Sequence, residues 1–323
     1  KYQQISNKNS IYVPGWDCHG LPIEWKIEEQ YRKKKLNKDD VPVLEFRKQC
    51  RDFAQEWIEI QRKEFKRLGV IGDWDNPYTT MHYNSEAQIV RELGKFLENG
   101  GLYKGHRPVL WSVVEKTALA DAEVEYQEHK STTIYAKFPI AKTNLDKLNN
   151  HSIVIWTTTP WTIPGNRALA VHNEIKYVSL NIRSENSNED IIIAEGLVDN
   201  FLKENKILES NVNFSLTGNE LLNTSCYHTL FKSGYDFMVP ILHGDFVTTE
   251  QGTGIVHICP VHGMDDFILG KQHNLELPMT IDEGGIYYEH IPVFAGKHIF
   301  KVDPEVCDEI EKCNNLISKG QLI

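Results

Sequence analysis

The chain has 323 residues, of which 41% are hydrophobic and 25% are charged, and its formal net charge is −10. This length and composition are typical of about two globular domains with a packed core. No apolar run reaches the roughly 18–20 residues of a membrane span. The negative net charge excludes a protein whose whole surface binds nucleic acid, so any contact with nucleic acid is expected to be local.

The first residues, KYQQISNKNS, contain neither an initiator methionine nor the apolar core of a signal peptide. They indicate a fragment of a longer protein. The six cysteines form no CxxC pair, which favours reduced thiols in a cytoplasmic protein over disulfides or a zinc site. They are Cys18, Cys50, Cys226, Cys259, Cys307 and Cys313.

A strand and a long helix are predicted early in the chain. The segment SIYVPGWDCHG is typical of a short buried strand that runs into a turn. The basic segment Trp25 to Lys38 is either a solvated helix face or a local contact for a nucleic-acid backbone. Apolar residues then recur every three or four positions, which predicts a helix that ends at Gly69 and buries one stripe. The stripe consists of Phe46, Cys50, Phe53, Trp57 and Ile60.

A second helix is predicted to begin at Ser85, because Ser85 and Gln88 form a capping-box pattern. It is expected to end at the glycine pair 100–101. The apolar residues expected to face a core are Ile89, Leu93, Phe96 and Leu97.

From about Glu123 onward the sequence consists mainly of short β-type runs separated by turns, which predicts a barrel or a sandwich. The runs are STTIYAKFPI, SIVIWTTT, IKYVSLNI, DIIIAE, VNFSLTG, DFMVPIL and GIVHICP. Helical patterns are few: EGLVDNFLKEN, MDDFILGKQHN, and a last helix after Asp303. That last helix carries Val306, Ile310, Cys313 and Ile317 at helical spacing.

The segment YVPGWDCHGLPIE, from Tyr12 to Glu24, places the carboxylate of Asp17 and the imidazole of His19 just after the first predicted strand. Asp17 either caps the following helix, or it joins His19 in a ligand site at the carboxyl end of that strand. Spacing alone leaves both interpretations open.

Two polar segments lie far apart in the chain: VIWTTTPWTIPGN, from Val154 to Asn166, and GTGIVHICPVHGMDD, from Gly252 to Asp266. The first is also compatible with a plain strand that its prolines end. The second is also compatible with a turn and a helix whose first-turn acids, Asp265 and Asp266, meet the helix dipole. The alternative is that the two segments form one site.

Read together, these strings resemble the isoleucyl-tRNA synthetase family of class I aminoacyl-tRNA synthetases. GWDCHGLPIE, EFKRLGVIGDW, NPYTTM, ALADAEVEY, WTTTPWTIPGNRALAV and GTGIVHICPVHGMDDF occur in the family's order and extend over most of the chain. Valyl and leucyl relatives tend to carry a lysine or an apolar residue where His257 stands.

The resemblance implies an α/β protein with three parts. Residues 1–122 would be part of a Rossmann-type catalytic domain, mainly helical here. Residues 123–302 would be the inserted β-rich, barrel-like editing domain (CP1), and residues 303–323 a helix that returns toward the catalytic domain. In the first part, Gly15 and Trp16 would shape the amino-acid pocket, Asp17 would meet the substrate ammonium, and His19 would belong to the same site.

In the editing domain, the resemblance implies hydrolysis of valine wrongly esterified to the tRNA for isoleucine. Asp266 would hold the aminoacyl ammonium and His257 would limit the side-chain pocket. Water and the developing charge would be held by Thr157, Thr158, Thr159 and Asn166. Further substrate contacts would come from Thr162, His262 and the glycines Gly252 and Gly254, which would cradle the terminal adenosine. Val261 stands where the family has a glycine, which leaves the geometry of this loop open.

No cofactor is expected within this chain, although the full enzyme uses ATP and Mg²⁺, because the family's "HIGH" and "KMSKS" strings are absent. No zinc is expected either, since WSVVEK at residues 111–116 replaces the family's "WCxxC" element. The expected partners are the acceptor end of tRNA(Ile) and valyl and isoleucyl groups. The protein is expected to be a cytoplasmic monomer with no membrane contact.

Two other functions are compatible with the residues. One is a metal-dependent hydrolase with His257, His262, Asp265 and Asp266 as ligands, although the two histidines do not have helical i, i+4 spacing. The other is a catalytically silent module that docks the acceptor end of tRNA, which the negative charge disfavours.

Overall fold

The computed structural model describes residues 1–183 and 188–322; residues 184–187 and 323 lie outside the described part. The chain divides into two compact units, Lys1–Gly105 and His106–Ile323. Within the described ranges, no helix combines the length and the apolarity that a membrane span requires.

The first unit is mainly helical, with one short parallel strand pair. Its elements are α1 (Tyr2–Ile5), β1 (Gly15–Trp16), α2 (Leu21–Lys33), α3 (Val43–Arg67), β2 (Tyr78–Thr79) and α4 (Tyr83–Glu98). β1 pairs with β2 in parallel, with Gly15 opposite Tyr78. The residues after β1 therefore lie at the carboxyl end of a parallel strand, as predicted.

The buried strand predicted at the start of the chain is wrong in length and burial. Only Gly15 and Trp16 form strand pairs, and Ile11 is 74% exposed. Because β2 contributes only two residues, the large apolar residues before Gly15 lie outside this strand pair and remain exposed.

The long helix α3 is confirmed, but its buried face is not the predicted stripe. α3 ends just before Gly69, whose φ of +77° suits a glycine. Ala54 and Ile58 are its buried residues, and they pack with Cys18, whereas Trp57 is exposed. The spacing of apolar residues predicts the helix correctly. Contact with the segment after β1, however, buries a face of α3 next to the predicted stripe.

α4 begins two residues before the predicted start. The His82 side chain accepts a hydrogen bond from the Asn84 N–H and caps the helix, so Ser85 and Gln88 are not the cap. The apolar stripe predicted to be buried is instead exposed, as Ile89, Leu93, Phe96 and Leu97 show.

The second unit contains one large sheet and a separate antiparallel pair formed by its first two strands. Its strands are β3 (Trp111–Ser112), β4 (Thr117–Ala118), β5 (Ser131–Lys142), β6 (Ser152–Thr157), β7 (Ala168–Val171), β8 (Lys176–Arg183), β9 (Asn188–Ala194), β10 (Glu209–Thr217), β11 (Ser225–Tyr227), β12 (Met238–His243), β13 (Val256–Ile258) and β14 (Leu316–Leu322). Its helices are α5 (Val198–Glu204), α6 (Gly218–Leu221), α7 (Met264–Gln272) and α8 (Ile299–Lys312). All seven predicted β-type runs contain a strand, whereas β3, β4, β7, β11 and β14 were not predicted.

The sheet has ten strands in the order β10-β8-β9-β6-β5-β11-β12-β7-β13, and β14 pairs with β5. Most neighbours are antiparallel, while β6 with β9 and β12 with β7 are parallel. In the described part of the chain the pairing runs from β10 to β13 without closing. The predicted α/β class with a β-rich second part is confirmed, and the sheet is open rather than a closed barrel.

Both faces of this sheet are covered, which explains the nearly continuous apolar runs. On β6, Ile153 and Ile155 belong to the largest buried cluster, which also contains α8 residues such as Val306. Val154, between them, faces a second cluster that includes Phe201 of α5. Successive side chains of one strand therefore enter two different cores.

The last predicted helix exists, but its bounds differ. α8 begins at Ile299 under a cap from the His298 side chain, so Pro304 lies inside it rather than at its start. Burial of neighbouring residues, Val302 among them, offsets the backbone hydrogen bond that Pro304 cannot donate. The helix ends at Lys312, and Ile317 belongs to β14, where pairing with β5 replaces the predicted helical turn.

Candidate active site between β6, β7 and β13

The two polar segments meet because the first leads directly into β7 and the strand of the second, β13, pairs with β7. Thr157 ends β6, a 3₁₀ segment covers Pro160–Gly165, and β7 follows. β13 pairs antiparallel with β7 and places His257 opposite Leu169. The loops that flank β7 and β13 therefore lie at one place, although they are far apart in the chain.

His257 is the junction between the two segments. Its Nε2 lies 2.9 Å from the Thr162 hydroxyl oxygen, and its Nδ1 lies 3.4 Å from the Asn166 side-chain nitrogen. The Asn166 nitrogen also donates to the Ala168 carbonyl at 2.9 Å. All three side chains are buried, and Asn166 is fully so. The arrangement is a desolvated polar cluster rather than a chance surface contact.

The histidines in this cluster are neutral at physiological pH. Burial lowers the pKa of His257 to about 4, with a smaller contribution from the charge of His262. Burial alone lowers the pKa of His262 to about 4. Removing an imidazolium from water disfavours its charged form, so both rings are neutral.

The threonine segment presents hydroxyl groups in a chain. The hydroxyl oxygens of Thr157 and Thr159 lie 3.2 Å apart, and those of Thr159 and Thr162 lie 3.4 Å apart. The Thr157 oxygen also accepts from the Thr159 N–H at 3.1 Å. Thr157 is buried, whereas Thr158 and Thr159 are half-buried, so hydroxyls at this strand end reach the edge of the cluster.

Asp266 lies in the first turn of α7 and is half-buried, unlike its exposed neighbour Asp265. One carboxylate oxygen accepts from the Cys259 N–H at 2.8 Å, which fixes the loop that follows β13. Burial raises the pKa of Asp266 to about 6, although the hydrogen bond from Cys259 opposes that shift. A carboxylate held in such an environment is typical of a functional group.

The loop with the unusual Val261 is a tight turn. The His262 N–H donates to the Cys259 carbonyl at 3.0 Å, which closes the turn around Pro260 and Val261. Val261 is not among the described residues with positive φ, so a valine is accommodated there without strain. His262 bonds Thr280 at 3.0 Å and packs edge-on against Trp161, with ring centroids 4.8 Å apart.

Gly252 and Gly254 are needed by the fold of the chain itself. Both have positive φ, +75° and +70°. A Cβ on Gly254 would lie 2.5 Å from the Ala194 Cβ, and one on Gly252 would lie 3.2 Å from the Trp156 Cβ. The loop therefore packs directly on the ends of β9 and β6.

We expect Gly254→Ala to lower the free energy of unfolding by about 2–4 kcal/mol, because strain at positive φ adds to overpacking. Gly196→Ala is the matched control: its Cβ would enter open space, so we expect a change below about 1 kcal/mol. Urea denaturation of both variants measures the difference, and equal midpoints would contradict this packing argument.

Two residues that the sequence did not single out hold the 3₁₀ segment. The Trp161 N–H donates to an Asp303 carboxylate oxygen at 3.2 Å, and the Tyr287 hydroxyl donates to the Trp161 carbonyl. Burial raises the pKa of Asp303. These contacts join residues more than a hundred positions apart, so no local pattern in the sequence indicates them.

The residues predicted to line an amino-acid pocket lie in the first unit. Gly15, Asp17 and His19 are exposed. The His19 Nδ1 lies 3.0 Å from the Thr80 hydroxyl. Trp16 is half-buried and donates its indole N–H to the Gln61 side chain at 2.8 Å. Asp17 and His19 thus follow β1 at its carboxyl end, and the Asp17 side chain is open to solvent.

The metal-hydrolase interpretation lacks geometric support. Both ring nitrogens of His257 have protein partners, His262 bonds Thr280, and Asp266 bonds Cys259. Over residues 1–183 and 188–322, no group of three or more His, Cys, Asp or Glu side chains is placed to hold a metal ion.

Curated relatives resemble the whole of this chain but are much longer. The isoleucine–tRNA ligase of Pelagibacter ubique is 52% identical over 100% of this chain and 36% of its own length. That of Gluconobacter oxydans is 52% identical over 94% of this chain and 33% of its own length. The chain therefore spans about a third of the length of these relatives.

Among solved structures, GlLeuRS-CP1 is 16% identical, with a TM-score of 0.45 over 58% of this chain and 99% of that structure. The editing domain of the cytosolic leucyl-tRNA synthetase of P. knowlesi is 12% identical, with a TM-score of 0.42 over 59% of this chain and 97% of that structure.

The family model "tRNA synthetases class I (I, L, M and V)" matches residues 1–303, which is most of both units. The polar cluster is formed by the same sequence motifs on which the resemblance to synthetases rests. Together with the match of the family model, this shows that the chain belongs to the class I tRNA synthetase family.

Proposed function

We propose that the second unit hydrolyses the ester between valine and tRNA(Ile), and that the first unit is part of the site where an isoleucine–tRNA ligase selects its amino acid. The names of the ligases that are 52% identical support the isoleucine branch. The proposal includes a cytoplasmic monomer that receives the acceptor end of the tRNA.

The chemical need for a second site follows from the size of a methylene group. One missing methylene in an apolar pocket gives only about 1–3 kcal/mol of discrimination, a limit for which isoleucine against valine is the standard illustration. A second pocket that admits the smaller side chain and excludes the larger one multiplies the selectivity.

The observation that carries this proposal is the junction at His257. The threonine segment and the GTG segment meet there through Thr162 and Asn166, at 2.9 and 3.4 Å from the imidazole nitrogens. A buried, neutral ring is suited to limit the size of a pocket, because it adds bulk without an unpaired charge. Asp266 follows the same strand. Its carboxylate supplies the negative charge that binding an ammonium group requires.

The proposed reaction forms no covalent bond between the enzyme and its substrate. A water oxygen adds to the ester carbonyl carbon, and the resulting oxyanion is stabilised by hydrogen-bond donors such as the Thr158 and Thr159 hydroxyls. The carbon–oxygen bond to the ribose then breaks, and the ribose oxygen takes up the proton that the water gives up. Asp266 binds the valyl ammonium and thereby orients the ester for attack.

ATP and Mg²⁺ serve the ligation reaction of this family. Among the described residues, Asp17 and His19 stand exposed without a third ligating side chain beside them. Asp17 and His19 are assigned to the amino-acid pocket, and no step through ATP is assigned to this chain.

Hydrolysis of Val-tRNA(Ile) and Ile-tRNA(Ile) by the purified chain tests the proposal. We expect valine to be released much faster than isoleucine. If a folded chain binds the acceptor end but leaves both esters intact, the second unit is a docking module and the proposal is wrong.

A further inference from the structure

The protons around His257 can be assigned from both ends of its hydrogen-bond chain. At one end, the Thr162 hydroxyl donates to the Thr159 carbonyl at 2.9 Å. A hydroxyl has one proton, so the Thr162 oxygen must accept from the His257 Nε2, 2.9 Å away. The Nε2 atom therefore carries a proton.

The other end gives the same answer independently. The Ala168 carbonyl only accepts, so the Asn166 amide must turn its nitrogen toward it. That nitrogen is also the atom 3.4 Å from the His257 Nδ1, so Nδ1 faces a donor and must lack a proton. With a pKa of about 4, the ring holds only one proton at neutral pH.

This orientation of the Asn166 amide is unfavourable for its own side-chain oxygen. The Asn166 Oδ1 is buried and has no hydrogen-bond partner among the described residues. An unsatisfied buried acceptor is rare and is retained where other contacts impose the orientation. Since Asn166 is fully buried, it cannot touch a substrate directly in this geometry, and it acts through the imidazole.

We propose that Thr162 and Asn166 are positioning residues that lock His257 as the neutral tautomer protonated at Nε2 and so fix the wall of the valine pocket. This inference rests on the proposed editing function. It has a mechanistic consequence, because both ring nitrogens are engaged with protein groups. His257 then shapes the pocket and does not remove a proton from the attacking water.

The tautomer is measured directly on the full chain by two-bond ¹H–¹⁵N correlation spectra with ¹⁵N-labelled histidine. The His257 signals are assigned by their loss in His257→Ala. We expect a protonated Nε2 and a bare Nδ1 at pH 7. A proton on Nδ1, or on both nitrogens, overturns the proposal, and this measurement needs no variant of Thr162 or Asn166 to fold.

Two variants of Thr162 separate positioning from packing. Thr162→Val keeps the shape but removes the hydroxyl, and Thr162→Ser keeps the hydroxyl. We expect Thr162→Val to give a mixed tautomer and to reduce the Val-over-Ile ratio of kcat/KM roughly threefold to tenfold, as for one lost hydrogen bond. Thr162→Ser should restore both readouts.

The outcomes separate this inference from the proposed function. If wild-type protein does not hydrolyse Val-tRNA(Ile), the proposed function fails, while the spectrum still reports the tautomer. If Thr162→Val changes the spectrum but not the selectivity ratio, Thr162 does fix the tautomer of His257, but the proposed effect of that tautomer on the pocket is wrong. If neither readout changes, Thr162 is not a positioning residue.

Discussion

Asp266→Ala is expected to slow hydrolysis of Val-tRNA(Ile) by roughly 10- to 150-fold, the usual effect of losing a hydrogen bond to a charged group. The carboxylate is half-buried, so an ammonium bound beside it is poorly screened by water. One Asp266 oxygen accepts from the Cys259 N–H, and we assign the other to the substrate ammonium. Single-turnover deacylation of Val-tRNA(Ile) measures the effect.

Asp266→Asn is the matched control, because an amide oxygen can still accept from Cys259 while the charge is gone. We expect it to lose activity as Asp266→Ala does but to keep the loop after β13 in place. If Asp266→Asn hydrolyses the ester at the wild-type rate, the charge does not anchor the ammonium.

The same carboxylate predicts a pH dependence of activity. The pKa of Asp266 is raised to about 6, so the free protein loses the anionic form as the pH falls through that value. We expect kcat/KM for Val-tRNA(Ile) to decline below about pH 6, since this parameter reports groups of the free enzyme.

The effect of Asp266 on stability has the opposite sign. Its folded pKa lies above the ordinary value of 3.8, so between these two values the native state binds more protons than the unfolded state. Stability is therefore lost as the pH rises through this window. At pH 7.5, Asp266→Asn is expected to be more stable than wild type by about 3 kcal/mol, and the difference should vanish below about pH 4.

The sequence predicts most strands of the second unit because burial on both sheet faces gives long apolar runs such as the one at Ser152–Thr157. It fails at β14, where pairing with β5 rather than local spacing decides the conformation. It also fails for the buried face of α3, which depends on contact with Cys18. Periodicity identifies an element, whereas tertiary contacts select its exposed face and its ends.

In the candidate site, too, some features could be predicted from the sequence and others depend on tertiary contacts. The convergence of the two polar segments was expected from the resemblance, since the strings that carry it lie around Thr157 and His257. Neither spacing nor resemblance indicated that Asp303 holds the Trp161 backbone or that Asp266 binds the Cys259 N–H. These bonds join an irregular loop to distant elements, and the residue types involved are also common in ordinary caps and turns.

His257→Ala is expected to convert a selective hydrolase into one that also removes isoleucine from its tRNA. His257 is buried between Thr162 and Asn166, so its removal leaves space the size of an imidazole in the pocket wall. Isoleucine exceeds valine by one methylene, worth about 1–3 kcal/mol of steric or transfer energy, so we expect Ile-tRNA(Ile) hydrolysis to rise roughly 10- to 100-fold. Hydrolysis of Val-tRNA(Ile) should change less, because the free lone pair of the ring, on Nδ1, faces the Asn166 nitrogen, and a pKa of about 4 makes the ring only a weak base. His273→Ala removes an exposed imidazole at the end of α7 and should leave both rates unchanged. Loss of valine hydrolysis in His257→Ala without any gain for isoleucine would show that the ring takes part in the chemical step and is not a size filter.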